Sequence, residues 1–308
     1  MNYKVIEGLG FTGPAMLKEY KANNIKWNKE DKTLEKDGVV KWWGNKFNSK
    51  RGAENCRNKY KTSTILKNKN LPVPKIYLWQ NNESRNENIR NITLLFDFPI
   101  VAKPVAGSQG QNVYTHIASI DQLNEVLDKL KLAETNIIIE EQVRGRNYRV
   151  LVFNGKIIEI VERKLPIITG DGTSTVGLLI DKYNNDRAKG WHPIRSINKQ
   201  LIKESGFSFD SIVPKNKSVH VTNTVNFHNG ADLERIPLNK VHPVNIDMFK
   251  TVNNALGVNL SGIDYMTSSL EVPYYIEGHI IEVNNVPGSD IHYAIGDDWV
   301  SKFVKQIF

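Results

Sequence analysis

The stretch TNIIIEEQVRGRNYRVLVFNGKIIEIVERK, residues 135–164, constrains the fold more than any other part of the chain. It reads as three apolar, β-branched strands broken at Arg144-Gly145 and at Asn154-Gly155. The second break is a strong hairpin signal, because a two-residue turn of this kind needs positive φ at both central positions. Antiparallel pairing is therefore written into the middle of the chain. Elsewhere strands and helices are mixed rather than strictly alternating, which predicts an α+β (mixed α/β) protein of layered sheets. At 308 residues the chain is long enough for one large domain or two to three subdomains.

The start, YKVIEGLG, reads as a strand and GPAMLKEYKANN as a short helix. Gly8, Gly10 and Gly13 have the spacing of a dinucleotide fingerprint, but no clear acidic-ended strand closes a βαβ unit about twenty positions on. A tight strand-to-helix turn is the plainer expectation. The segment from Asn24 to Asn58 is polar and shows no clear period. KYKTSTILKNKNLPVPK looks like a helix stopped by Pro72 and Pro74. FDFPIVAKPVAGSQGQNVYTHI has the texture of short strands and turns. SIDQLNEVLDKLKL is an amphipathic helix opened by Ser119, with Leu123, Val126, Leu127 and Leu130 on one face. After TGDGTS come helical pieces, a strand at KSVHVTN, a helix from about Asn245 to Leu256, and strands at LSGIDYM and YYIEGHIIEVNNV.

With 40% hydrophobic and 24% charged residues, the composition is that of an ordinary globular protein. No apolar run approaches the ~18 residues of a membrane span, and the start lacks a basic-then-apolar signal. The single cysteine, Cys56, allows no internal disulfide and suits a reducing compartment. A cytoplasmic protein without a membrane partner is expected. The net charge of +8 invites a nucleic-acid reading, but the lysines are spread out. The densest basic stretch, Lys46–Lys69, carries only Phe47 and Tyr60 for base stacking. A site for a polyanion such as ATP suits the same charge.

Three places carry candidate chemistry. Lys103 ends a strand and precedes a loop with Gly107 and Gly110, where a cation and backbone donors could hold phosphate oxygens. An ordinary hairpin is the alternative. Glu140 and Glu141 close the strand IIIEE, where backbone groups suit an adenine edge and a carboxylate suits a ribose; a solvated strand end is the alternative. Asp264 in GIDYM and the pair Glu282/Asn284 in IIEVNNV bring three oxygen donors from two strands, adequate as the protein share of a Mg²⁺–nucleotide site. Pairing with Arg149 or Arg163 would satisfy the same buried carboxylate. His192, His228 and His292 are scattered and show no zinc spacing. Nothing suggests a covalent nucleophile.

Taken in order, KYKTSTILKNKNLPVP, FPIVAKPVAGSQGQNV, IIIEEQVRGRNYRVLVFNGKIIEIVERKLPIITGDGTST, GVNLSGIDYM and IIEVNNVPGSDIHYA resemble the ATP-grasp superfamily of carboxylate–amine ligases. The texture is most like the ATP-grasp module of cyanophycin synthetase and of bifunctional glutathione synthetase, from about Lys59 to His292. The resemblance implies an ATP-grasp fold with a short N-terminal segment (1–58), an N-terminal subdomain (59–145) and a C-terminal subdomain (146–308). It implies ATP and Mg²⁺, two ions with Mn²⁺ as a substitute, and an amide-forming reaction through an acyl phosphate. Lys59 and Lys103 match nucleotide lysines, and Gly107, Ser108 and Gly110 the phosphate-covering loop. Glu140, Glu141, Gln142 and Val143 match the adenine hinge. Asp264, Glu282 and Asn284 match the metal ligands, and Arg149 and Arg163 the positive charge near the reacting phosphate. Asn147 stands where relatives carry an acidic residue for the ribose. His192, Arg195, Asn226, Gly230 and His292 fall at substrate-contacting positions. Partners implied are a small carboxylate and a small or macromolecular amine; relatives are often dimers or tetramers. A non-catalytic nucleotide- or nucleic-acid-binding module on the same scaffold is the alternative.

Overall fold

The computed structural model describes residues 13–42, 47–80, 82–107, 111–131, 136–188 and 190–308. The chain opens with helix α1 (Pro14–Ala22) and a small antiparallel sheet of β1 (Lys26–Asn28), β2 (Thr33–Lys36) and β3 (Val39–Trp42). Helices α2 (Lys50–Arg57) and α3 (Lys59–Lys67) follow, meeting at Asn58, whose side chain caps α3 by accepting from Lys61 N. Two larger sheets come next.

The first sheet runs in the order β4 (Ile76–Leu78), β7 (Ile137–Glu141), β5 (Ile100–Pro104), β6 (Tyr114–Ile117). Helices α4 (Arg85–Leu95) and α5 (Ile120–Lys131) cover one face. Period-two alternation decides what lies where: Ile100, Ala102, Ile137 and Ile139 face Ile92, Leu123, Leu127 and Leu130 of the helices. Val101, Lys103, Ile138 and Glu140 take the opposite face, and in register Val101 lies across from Glu140.

The second sheet has five antiparallel strands in the order β12 (Asp232–Arg235), β9 (Lys156–Lys164), β8 (Arg146–Phe153), β13 (Leu260–Thr267), β14 (His279–Asn284). The expected Asn-Gly hairpin joins β8 to β9, with φ of 45° at Asn154 and 71° at Gly155. One face carries Tyr148, Val150, Ile160, Ile263, Tyr265 and Val283 against helix α8 (Pro243–Leu256). Each such fully buried side chain contributes about 1.5–3 kcal/mol. Helix α8 starts on Pro243 and stops at Gly257, left-handed at φ 71°. The other face is split: Leu151, Phe153, Ile158 and Leu260 pack on α1 and on α10 (Asp298–Val304), Val161 and Leu233 pack with Phe227 and Ile291, and the rest is largely polar.

A fourth, smaller core is formed by β10 (Ile167–Thr169), α6 (Val176–Asn185), α7 (Lys199–Glu204) and β11 (Ser218–His220). Helix α9 (Asp290–Ala294) follows β14.

Two packing relations differ from the expected partition. Met16, Tyr20 and Leu34 share a core with Phe153, Trp299 and Phe303. Leu66 and Leu71 belong to the core of the five-stranded sheet, so α3 packs with the second sheet instead of opening a lobe at residue 59. The small N-terminal sheet falls where the sequence showed no clear period, and helix α4 falls in a stretch for which no element was expected. For α4 the signal was present: Ser84 and Glu87 form a capping box, each side chain bonded to the other's backbone N–H. Gly8 and Gly10 lie outside the described residues; Gly13 caps α1.

Candidate active site

Strand pairing brings the third group of candidates together. Asp264 lies opposite Glu282 on β14 and opposite Arg149 on β8, while Gly262 lies opposite Asn284. On the far side of β8, Asn147 lies opposite Arg163 of β9. All of these side chains point from the polar face of the sheet.

Asp264 is buried at 7% exposure and receives both arginines. Arg149 Nη2 donates to Oδ2 at 3.3 Å, and its Nε lies 2.7 Å from Oδ1, a charge contact off-axis for a hydrogen bond. Arg163 Nη2 stands 3.0 Å from the same Oδ1. Burial pulls the Arg163 guanidinium below its ordinary range, and Asp264 opposes that pull. Arg163 Nε also donates to Asn147 Oδ1 at 2.7 Å, so the amide at the position expected to hold ribose is engaged in orienting an arginine. The arginine pairing weighed from sequence is thus realised by both candidates at once.

Lys59 joins this end to the first sheet. Its Nζ lies 3.1 Å from Glu282 Oε1 and donates to the Gly107 carbonyl at 2.8 Å, while its backbone N–H donates to Val105 O at 2.9 Å. The start of the expected phosphate loop therefore stands over the second sheet. Ser108 and Gly110 lie outside the described residues.

Lys103 and Glu140 form a buried pair, Nζ to Oε2 2.6 Å, with both side chains 5% exposed. Glu140 is therefore no solvated strand end. Glu141 accepts from Lys75 N at 2.8 Å, and Gln142 accepts from His116 N at 3.0 Å. Those bonds hold the irregular link through Val143 that joins the two sheets.

The donor set suits a hard divalent cation: two carboxylates and an amide on adjacent strands. Asn284 Nδ2 is buried without a hydrogen-bond partner, and amide rotation would turn Oδ1 to that position instead. Three cations, Lys59, Arg149 and Arg163, face only two carboxylates there, an imbalance that favours a polyanion.

The substrate-side candidates divide. Asn226 Oδ1 accepts from His228 N at 2.9 Å, and Gly230 closes that 3₁₀ turn at φ 88°. Both shape a loop. Arg195 is exposed, and His192 is half-buried against Phe227. His292 corrects the expectation of a residue where the acceptor enters: it is fully buried, with Nδ1 2.6 Å from Glu159 Oε2. His228 and Asp290, not chosen from sequence, stand beside His192. A cleft of about 550 Å³ lined by Asp171, Lys182, Tyr183, Asp186, Arg187, Trp191 and Asp232 lies apart from the lysines and metal candidates. No helix among the described residues is long and apolar enough to cross a membrane.

Residues 56–166 match the RimK-like ATP-grasp domain. Cyanophycin synthetase of Synechocystis sp. is 32% identical over 256 residues, covering 79% of this chain and 29% of that protein. The bifunctional glutathione biosynthesis protein of Clostridium perfringens is 26% identical over 246 residues, covering 76% of this chain and 31% of that one. The chain thus spans about three tenths of the length of these relatives. In fold it is similar to a bifunctional glutathione synthetase from Pasteurella multocida (TM-score 0.61, 19% identity, 90% of this chain and 40% of that chain). It is also similar to D-alanine–D-alanine ligase from Bacillus anthracis (TM-score 0.54, 16% identity, 86% and 69%). Two antiparallel sheets joined through the irregular link at 142–145, with lysines, arginines and paired carboxylates between them, agree with these likenesses: residues 56–166 match a RimK-like ATP-grasp domain, and the chain is similar in fold to the glutathione and D-alanine–D-alanine ligases.

Proposed function

We propose that the protein is an ATP-dependent ligase that joins a carboxylate to an amine through an acyl phosphate, releasing ADP and phosphate. One observation supports the reading: Lys59 contacts Glu282 and the Gly107 carbonyl at once, so Gly107, where the expected phosphate loop begins, lies beside the face that holds Arg149, Arg163 and Asp264. A substrate carboxylate would attack the γ-phosphate, and an amine would then displace phosphate from the acyl phosphate. Such transfer asks for positioning and charge neutralisation, not a protein nucleophile. Lys59 and Lys103 hold phosphate oxygens in this reading, and Arg149 and Arg163 neutralise charge on the transferring group. Glu140, Glu141, Gln142 and Val143 line the base. Asp264, Glu282 and Asn284 would hold Mg²⁺, in one or two ions and replaceable by Mn²⁺, which supplies electrostatic stabilisation of the phosphate oxygens.

The cleft beside Tyr183 and Trp191 is lined in part by the segment 180–235 that we assign to acceptor choice. The +8 charge supports an anionic macromolecule as one acceptor class, next to amino acids and peptides. ADP release with Mg²⁺ across pooled amino acids, peptides and amines tests the activity. Tight ATP binding with no turnover in any pool would favour the non-catalytic module.

A further inference from the structure

Away from the nucleotide end, three separated segments bring metal-binding side chains to one point. His192 follows α6, His228 lies in the 3₁₀ turn Phe227–Asn229, and Asp290 opens α9. One ligand atom from each lies within 4.8 Å of the others. His228 Nε2 is 3.1 Å from Asp290 Oδ2, and the two imidazole centroids are 4.7 Å apart. We propose that His192, His228 and Asp290 form a site for a divalent transition-metal ion of zinc's class, distinct from the Asp264/Glu282/Asn284 set.

Around a tetrahedral ion with bonds of about 2.0–2.1 Å, neighbouring ligand atoms stand roughly 3.4 Å apart. The His228–Asp290 edge, at 3.1 Å, is close to that length, and the other ligand atoms lie within 4.8 Å. The scaffold for these positions is stiff. Asn226 holds the His228 backbone, and a Cβ on Gly230 would lie 2.7 Å from the Ile194 backbone, so the turn sits flush against the segment carrying His192. A Cβ on Gly288 would meet Asp290 Oδ1 at 2.6 Å, so only glycine leaves the carboxylate in place. The His192 ring meets Phe227 edge-on at 4.8 Å.

Charge permits a cation here. Arg187, the nearby buried guanidinium, is matched by Asp232 at 3.1 Å and stacks on Tyr183 and Trp191. Arg195 is exposed, where water screens it. Two imidazoles and one carboxylate select zinc-like ions over Mg²⁺, the reverse of the all-oxygen set on the sheet. Three protein donors also leave a fourth position open for water or a group on a bound molecule. Such an ion ties the loop leaving β14 to the two segments around the acceptor-side cleft.

The test uses the full chain, stripped with chelator, without nucleotide, titrated with Co²⁺. We expect one equivalent with the visible bands of a tetrahedral nitrogen–oxygen site, displaced by Zn²⁺ and indifferent to excess Mg²⁺. His228→Ala should lose these bands and weaken affinity by at least about 100-fold. Asp290→Asn should weaken it in the same direction with little change of shape. Glu282→Gln should keep the bands, which separates this site from the nucleotide set and from any failure of the ligase reading. Absence of the bands in the wild type, or their persistence in both triad variants, would overturn the proposal.

Discussion

The polar face of the five-stranded sheet carries two carboxylates built alike, Asp264 and Glu159, and they serve different ends. Each is buried and each meets two cationic or imidazole partners: Arg149 and Arg163 for Asp264, Arg235 and His292 for Glu159. Arg235 Nε lies 2.7 Å from Glu159 Oε1, and the same guanidinium reaches Asp298 and the Ile295 carbonyl. Trp299 closes over His292, 5.5 Å between centroids, so the Glu159 cluster is a strut between the sheet and the C-terminal helices. Around Asp264 nothing comparable closes among the described residues. Glu282 keeps 28% of its side chain exposed, the cations outnumber the carboxylates, and Asn284 leaves a buried amide unmatched. Ion pairing therefore does not distinguish a site from a strut. What caps the pair does.

The largest expected effect separates the two directly. Glu282→Gln should lower turnover by about 10³-fold while circular dichroism and thermal unfolding stay near wild type. Wild-type rates in that variant would sink the metal assignment. Glu159→Gln should do the converse. Breaking the buried cluster should cost about 3 kcal/mol in urea unfolding, with nucleotide affinity by calorimetry unchanged in the folded protein. A stable variant that had lost ATP binding would show that the strut belongs to the site.

Gly262→Ala probes the position of one arginine. The new Cβ would meet Arg149 Nη1 at 2.7 Å and Pro287 Cβ at 2.8 Å, so the guanidinium must leave its place over Asp264. A fall in kcat/KM of about 100-fold with a small change in Tm is expected, and unchanged kinetics would remove Arg149 from the reaction. The smallest effect concerns Cys56, in the apolar core behind the sheet, whose thiol burial pushes up to about 12 from 9.0. Folding favours its protonated form, so this stabilisation is complete below about pH 9 and is lost as pH rises from 9 toward 12. Iodoacetamide at pH 8 should leave native Cys56 unmodified and label it on unfolding; rapid native labelling would mean that this core opens.

Legibility from sequence followed the range of the interaction. The Asn154-Gly155 turn, the apolar face of α5 and the strands carrying Asp264 and Glu282 rest on period and turn chemistry within a few residues. Helix α4 was equally local, and its Ser84/Glu87 box went unused. By contrast, Arg149 and Asp264 are 115 positions apart, and Glu159 and His292 are 133 apart. No local pattern says that His292 turns inward to a carboxylate while His192 and His228 converge on Asp290.

By itself, then, the sequence determined the antiparallel strands, their alternation, and the resemblance of the ordered motifs to the ATP-grasp superfamily. Backbone preference and side-chain period are properties of neighbours along the chain. The tertiary structure alone decided that Lys59 spans from Glu282 to Gly107, that Asn147 holds an arginine, and that the N-terminal segment packs on α10. Those outcomes depend on which strands lie side by side and which helix covers which face. They are set by burial summed over the whole chain, not by any stretch of it.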